Sequence, residues 1–281
     1  MAGQTPSCAN KQNCSALILW HLLSLDAPTV ATLWTWFIAR TAHLQLHWFS
    51  LAAMAIAVWT LYAADRLLDA LSPGSDRLEA RHHFHSEHRG AFLAGIAVAS
   101  VSLALLLPHI PEAAIRLYLV LGGLVFGYFV IIHATRSAHR LPKEIAVGVC
   151  FAAATFIPTI SRYPQFRLPL LGPALLLATI CSLNCLFIYC WEHSVPGGQS
   201  PHPVTSAALR YLVPLSLCTF AISGGLALRS ATTSRLLYAA VCLSALALAV
   251  LHLLRQRLSA LQLRAAADLA LLTPLLLVVF L

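Results

Sequence analysis

The chain of 281 residues is 59% hydrophobic, and only 10% of its residues are charged. Soluble globular domains carry about 25% charged residues, so this composition excludes an ordinary soluble domain and indicates a multi-span membrane protein. The formal net charge of +8 comes from basic residues scattered through short loops between apolar segments, which favours a role in membrane orientation over nucleic-acid binding.

About nine apolar segments are long enough to cross a hydrocarbon layer of about 30 Å as helices. The alternating pattern of a membrane barrel strand is absent, so an all-α bundle is predicted. The predicted spans are 26 to 42, 46 to 66, 90 to 108, 113 to 133, 143 to 160, 168 to 190, 207 to 228, 234 to 254 and 264 to 281. Residues 1–25 are predicted to form a polar N-terminus with an interfacial segment, and residues 26–281 a single transmembrane domain.

Two further predictions concern the start of the first helix and the orientation of the chain in the membrane. Asp26, followed by Ala27 and Pro28, is expected to cap the first helix. Basic residues are more frequent in the inner loops if the N-terminus is cytoplasmic, which predicts that orientation. The chain is therefore expected in a cell membrane, taken as a bacterial inner membrane, with its N-terminus in the cytoplasm.

The inner end of the second span carries Asp65, Arg66 and Asp69 directly after an apolar run. Ionisable groups at membrane depth are costly and are usually functional. Because Asp65 and Asp69 are spaced i and i+4, their carboxylates share one helix face and are candidate ligands for a hard cation such as Mg²⁺. A bound cation would in turn hold a diphosphate.

Two polar loops on the same side of the membrane supply basic residues. Arg81 and Arg89 lie in the loop after the second span, and Arg140 and Lys143 lead into the fifth. Guanidinium and ammonium groups bind phosphate oxygens, so these four residues are candidate diphosphate ligands. Anchoring to anionic lipid head groups on the inner surface is the alternative.

The end of the sixth span places Asn184, Ile188 and Glu192 on one helix face. An amide inside an apolar helix needs a partner, and a hydrogen bond to another helix is the ordinary explanation for Asn184. Glu192 is a candidate third oxygen ligand for a cation, or a solvated carboxylate. Asp268 in the last span is expected to pair with Arg264.

These features together resemble the UbiA superfamily of intramembrane prenyltransferases. Members of that family carry an Asn-x-x-x-Asp-x-x-x-Asp motif on helix two and a second aspartate-rich motif on helix six, which hold magnesium and an isoprenyl diphosphate. Asp65 and Asp69 fall on the two aspartates of the first motif, while Leu61 stands at the asparagine position. In the second motif Ile188 stands where an aspartate is expected.

The resemblance implies Mg²⁺-dependent transfer of an isoprenyl group from an allylic diphosphate to an aromatic or lipid acceptor within the membrane. The implied magnesium and catalytic ligands are Asp65, Asp69 and Glu192. The implied diphosphate-binding residues are Arg66, Arg81, Arg89, Arg140 and Lys143. The residues expected to line the substrate pocket, where aromatic faces stabilise an allyl cation, are Tyr62, Tyr128, Asn184 and Ile188.

Small residues in two spans have two possible roles. They mark either a groove for the apolar tail of the substrate or close helix packing. These residues are Gly122, Gly123, Gly127 and Gly148.

Two other functions are compatible with the sequence. A UbiA-like protein that has lost catalysis would bind a lipid or a partner instead. Alternatively, the closely spaced His82, His85 and His88, beside His83, are faintly similar to the histidine boxes of membrane di-iron oxidoreductases. A di-iron site requires more ligands than this loop offers.

Overall fold

The computed structural model describes residues 16–70, 84–85, 87–134, 142–192, 202–230 and 232–281. Within these ranges the chain is helical and contains no β-strand. The helices are α1 (Ala16–Leu22), α2 (Asp26–Thr41), α3 (Trp48–Ala70), α4 (Arg89–Leu106), α5 (Glu112–Ala134), α6 (Lys143–Arg162), α7 (Leu171–Glu192), α8 (Pro203–Arg210), α9 (Leu212–Arg229), α10 (Thr232–Leu254), α11 (Ala260–Leu269) and α12 (Pro274–Leu277).

Seven helical segments of the described ranges are long and apolar enough to cross a membrane. They are Trp48–Leu68, Arg89–His109, Lys143–Arg162, Leu171–Glu192, Leu212–Arg229, Ser234–Arg257 and Ala260–Phe280. These segments support the predicted all-α membrane class. The count of nine spans, a UbiA-like arrangement of the bundle and the orientation in the membrane remain predictions.

Helix α2 lies at the centre of the protein. It has 16 residues, which at 1.5 Å per residue is about 24 Å and shorter than a bilayer core. Trp34, Phe37 and Ile38 of α2 are almost completely buried and pack in the main core against α6, α7 and α10. Because neighbouring helices cover most of α2, protein contacts rather than lipid thickness set its length.

The last predicted span is broken between α11 and α12. Trp34 donates its indole N–H to the carbonyl of Leu271 at 2.9 Å, and Thr273 donates its hydroxyl to the carbonyl of Ala240 at 2.8 Å. Pro274, which lacks a backbone N–H, restarts the helix. A break at membrane depth is tolerated where buried protein groups satisfy the freed backbone, as Trp34 does for the carbonyl of Leu271. The bond of Thr273 instead ties the break to α10.

Of the glycines with two possible roles, Gly148 serves close helix packing. A Cβ atom added there would lie 2.4 Å from the backbone nitrogen and from the hydroxyl oxygen of Ser182 on α7. Gly122, Gly123 and Gly127 on α5 have open space at the same position. Contact between α6 and α7 therefore depends on the absence of a side chain at residue 148.

We expect Gly148→Ala to lower the stability of the protein by about 1 to 3 kcal/mol, because the added methyl group forces α6 and α7 apart. Gly123→Ala is the matched control, since its methyl group meets no atom within 4 Å. Thermal unfolding of both variants in the same detergent measures the difference. Equal midpoints for the two variants would show that the contact between α6 and α7 is not tight.

Candidate functional site

Two residues predicted for the substrate pocket line the same small cavity. Tyr62 of α3 and Asn184 of α7 meet there with Asp268 of α11 and Ala27 of α2. The cavity has a volume of about 30 Å³. That is room for a water molecule or a single ion, and it is too small for a diphosphate.

Asn184 and Asp268 are hydrogen-bonded across this cavity. The amide nitrogen of Asn184 donates to Asp268 Oδ1 at 3.0 Å, which is the helix-to-helix bond that the sequence predicts. A carboxylate can only accept, so the amide nitrogen faces Asp268 and the amide oxygen points away. That oxygen is buried and has no hydrogen-bond partner among the described residues. The predicted pairing of Asp268 with Arg264 is replaced, since Arg264 pairs with Glu192.

Asp26 belongs to a buried ion pair, although the sequence predicted only a helix cap. Helix α2 begins at Asp26, but Leu25 occupies the N-cap position and no side chain caps the helix, so the predicted cap is wrong. The backbone N–H of Ala27 donates to Asp26 Oδ1 at 2.9 Å. The second carboxylate oxygen accepts from Arg66 Nη2 at 3.2 Å and from His21 Nδ1 at 2.5 Å. The Asp26 side chain is 2% exposed and that of Arg66 is 6% exposed. A buried charge is stable only beside an opposite charge, so Asp26 and Arg66 stabilise each other.

Arg66 also holds the turn between α1 and α2. Its Nη1 donates to the carbonyl of His21 at 2.7 Å and to the hydroxyl of Ser24 at 2.9 Å. Ser24 Oγ also shares a hydrogen bond with His85 Nε2, 3.0 Å away, in which the tautomer of His85 sets the donor. His85 is fully buried and stacks on Phe92 at 4.0 Å. A chain of hydrogen bonds therefore joins α3 through Ser24 to the residues ahead of α4.

Ser24 adopts an unusual backbone conformation with φ of 58°. The N–H of Leu25 donates to the carbonyl of Trp20, and the N–H of Ser24 to that of His21, which is the pairing of a Schellman motif. Glycine is preferred at this left-handed position because it has no Cβ. A serine costs conformational energy there, and its hydroxyl bonds to Arg66 and His85 offset that cost.

His21 is neutral at pH 7. Burial lowers the pKa of its imidazole below the ordinary 6.5, against the opposing effect of its hydrogen bond to Asp26. A neutral ring that donates from Nδ1 carries no proton on Nε2. His21 Nε2 is buried and lacks a partner within the described part of the chain. Asp26 therefore fixes the ring in one tautomer.

His21, Asp26 and Asp268 form the one group of three potential metal-ligating side chains found among the described residues. Each offers an atom within 4.8 Å of the others. His21 Nδ1 lies 3.8 Å from Asp268 Oδ2. Sequence reasoning missed this group because its members come from α1, the start of α2 and α11. The only local signal was an acid and a histidine close to a predicted helix start.

The predicted magnesium ligands are placed differently. Asp65 lies on the exposed face of α3, as does Leu61, whereas Tyr62 and Arg66 face inward. The side chain of Asp69 lies outside the described residues. Glu192 is occupied by its ion pair with Arg264. Cation binding by the Asp65–Asp69 pair therefore remains a prediction.

The other predicted site residues lie at the edges of the protein or in its packing. Arg89 and Lys143 are exposed at the starts of α4 and α6. Ile188 packs against the main core, and the buried hydroxyl of Tyr128 has no partner in the described ranges. The remaining predicted residues, all outside the described residues, are Arg81, Arg140, His82 and His83.

We expect Asp26→Asn to destabilise the protein by about 3 to 5 kcal/mol, because it leaves the buried Arg66 without a counter-charge. The control is Glu112→Gln, which removes an exposed i, i+4 pair with Arg116 and should cost less than about 0.5 kcal/mol. Thermal unfolding in detergent compares the two variants. Similar midpoints for both would mean that the ion pair of Asp26 is not buried.

We expect the contribution of His21 to stability to fall as the pH is lowered below about 6.5. The pKa of His21 is lower in the folded protein than in the unfolded chain, so acid protonates the unfolded chain first. The contribution of His21 is therefore present above pH 6.5 and lost below it. The difference in melting temperature between the unmodified protein and His21→Asn should shrink from pH 7.5 to 5.5. A constant difference would contradict the neutral state of His21.

The comparisons with known proteins yield no relative. No protein-family model, no curated protein and no solved structure matches the chain. The function is therefore inferred from the residues of the site.

Proposed function

We propose that this chain is an intramembrane enzyme that transfers an isoprenyl group from an allylic diphosphate to an aromatic or lipid acceptor. The observation that carries the proposal is the convergence of Tyr62 and Asn184. These residues were predicted separately, from the motifs of the second and sixth spans, and they line the same cavity with Asp268. An aromatic ring beside polar groups is suited to a substrate with an allylic chain and an anionic head.

A separate groove, which shares no lining residue with this cavity, offers a place for the apolar tail of such a substrate. A groove of about 650 Å³ runs between α2, α3 and α4, and its walls are almost entirely apolar. It is lined by Leu25 and Trp59 at the level of the α1–α2 turn, and by Leu33 and Trp36 further along α2. A groove of this size accommodates one hydrocarbon chain.

The diphosphate must bind outside the described cavity or open it, since about 30 Å³ holds only an ion or a water molecule. Arg66 is already engaged by Asp26, so the exposed Arg89 and Lys143 are the available cations among the predicted diphosphate ligands in the described ranges. Oxygen ligands suit Mg²⁺, but Asp65 and Glu192 do not belong to the described metal-ligating group. Magnesium binding by the Asp65–Asp69 pair therefore depends on Asp69.

The second candidate is a protein that binds a lipid without transforming it. The apolar groove favours this function, because it needs only a hydrocarbon chain and no reacting centre. The two candidates differ in whether diphosphate is released.

The test uses the protein purified in detergent, with farnesyl or geranylgeranyl diphosphate, Mg²⁺ and a total lipid extract as acceptor. We expect released pyrophosphate and a prenylated product by mass spectrometry. Asp69→Asn and Tyr62→Leu should lower the rate at least tenfold, because they remove a cation ligand and an aromatic face. Glu112→Gln, an exposed pair on α5, should leave the rate unchanged.

Each remaining outcome decides between the candidates. A raised melting temperature with lipid extract but no pyrophosphate would favour the non-catalytic protein. Neither turnover nor a shift with any isoprenoid would contradict the enzyme. A rate that is unchanged in Asp69→Asn would remove the first motif from the mechanism.

A further inference from the structure

We propose that a divalent metal ion of the manganese, iron or zinc kind binds where α1, α2, α7 and α11 meet, on four side chains: His21, Asp26, Asn184 and Asp268. This site is distinct from the predicted pair at the end of α3. It does not depend on prenyl transfer.

The geometry brings three ligand atoms together from three helices. His21 Nδ1 lies 2.5 Å from Asp26 Oδ2 and 3.8 Å from Asp268 Oδ2. Atoms bound to one ion at about 2.1 Å lie about 3 Å apart at right angles and about 4.2 Å apart when opposed. The first distance must open by about half an ångström, and the second lies between these two values.

Asn184 gives an independent indication of a ligand. The residue is 5% exposed, and its amide nitrogen is fixed by Asp268. Its amide oxygen is buried without a partner among the described residues, and the residue lines the same cavity as Asp268. Buried acceptors of this kind are normally satisfied, by water or by an ion where protein groups are lacking. The cavity of about 30 Å³ that Asn184 and Asp268 line has room for one ion, although His21 and Asp26 are not among its lining residues.

The donor set selects the class of metal. One imidazole nitrogen with carboxylate and amide oxygens suits manganese, iron or zinc, whereas Mg²⁺ and Ca²⁺ prefer oxygen alone. When an ion binds His21 Nδ1, the ring proton moves to Nε2, and the imidazole stays neutral.

The experiment measures metal uptake by the full, untagged chain purified in detergent and stripped with a chelator. Loss of the free Mn²⁺ signal in electron paramagnetic resonance gives the affinity, and elemental analysis gives the stoichiometry. We expect about one ion per chain, and at least tenfold weaker binding in Asp268→Asn and in His21→Asn. Glu112→Gln is the control, because it changes an exposed carboxylate outside the group and should bind Mn²⁺ like the unmodified protein.

No saturable uptake of Mn²⁺ or Zn²⁺ by the unmodified protein would overturn the site. Equal affinity in Asp268→Asn would do the same, and His21→Asn provides the comparison if Asp268→Asn does not fold. Isoprenoids are absent from this assay, so its result is separate from that of the transfer assay. Metal binding without prenyl transfer leaves the site in place, and transfer without metal binding excludes it.

Discussion

The ion pair between Asp26 and Arg66 determines how the first three helices fit together. A buried guanidinium and a buried carboxylate are stable only when they are paired. Separating α2 from α3 would therefore leave two unpaired charges in a low-dielectric interior. The same guanidinium binds the carbonyl of His21 and the hydroxyl of Ser24, which fixes the turn that precedes α2. One side chain thereby links three consecutive helices, and the candidate site is built around that link.

The membrane class and the helix positions follow from local pattern, because long apolar runs leave the backbone no alternative to a helix in lipid. The start of α2 at Asp26 and the interhelical bond of Asn184 were predicted on the same local grounds. The group of His21, Asp26 and Asp268 was not. Its members are far apart in the chain, and seen locally Asp26 looks like an ordinary cap. Only the packing of α1 and α11 around α2 brings them together.

Helix α3 shows where periodicity stops being informative. Spacing of i and i+4 correctly groups residues on a face, but it does not say which face is turned inward. The exposed face carries Leu61 and Asp65, while Tyr62 and Arg66, one position further along the chain, face the interior. The partner that decides between them is Asp26 on another helix. A motif placed by spacing alone therefore leaves an uncertainty of one residue, which is about 100° of helix rotation.

The short helix α1 looks dispensable in the sequence, since it precedes the first span and is only seven residues long. It nevertheless supplies the imidazole of His21, and the turn after it supplies the hydroxyl of Ser24, both within the protein interior. Trimming the chain at Asp26, as one would remove an unneeded leader, would take away two acceptors of Arg66 and a donor to Asp26. The first 25 residues thus include groups that hold the interior together, and a protein shortened at Asp26 would have a destabilised core.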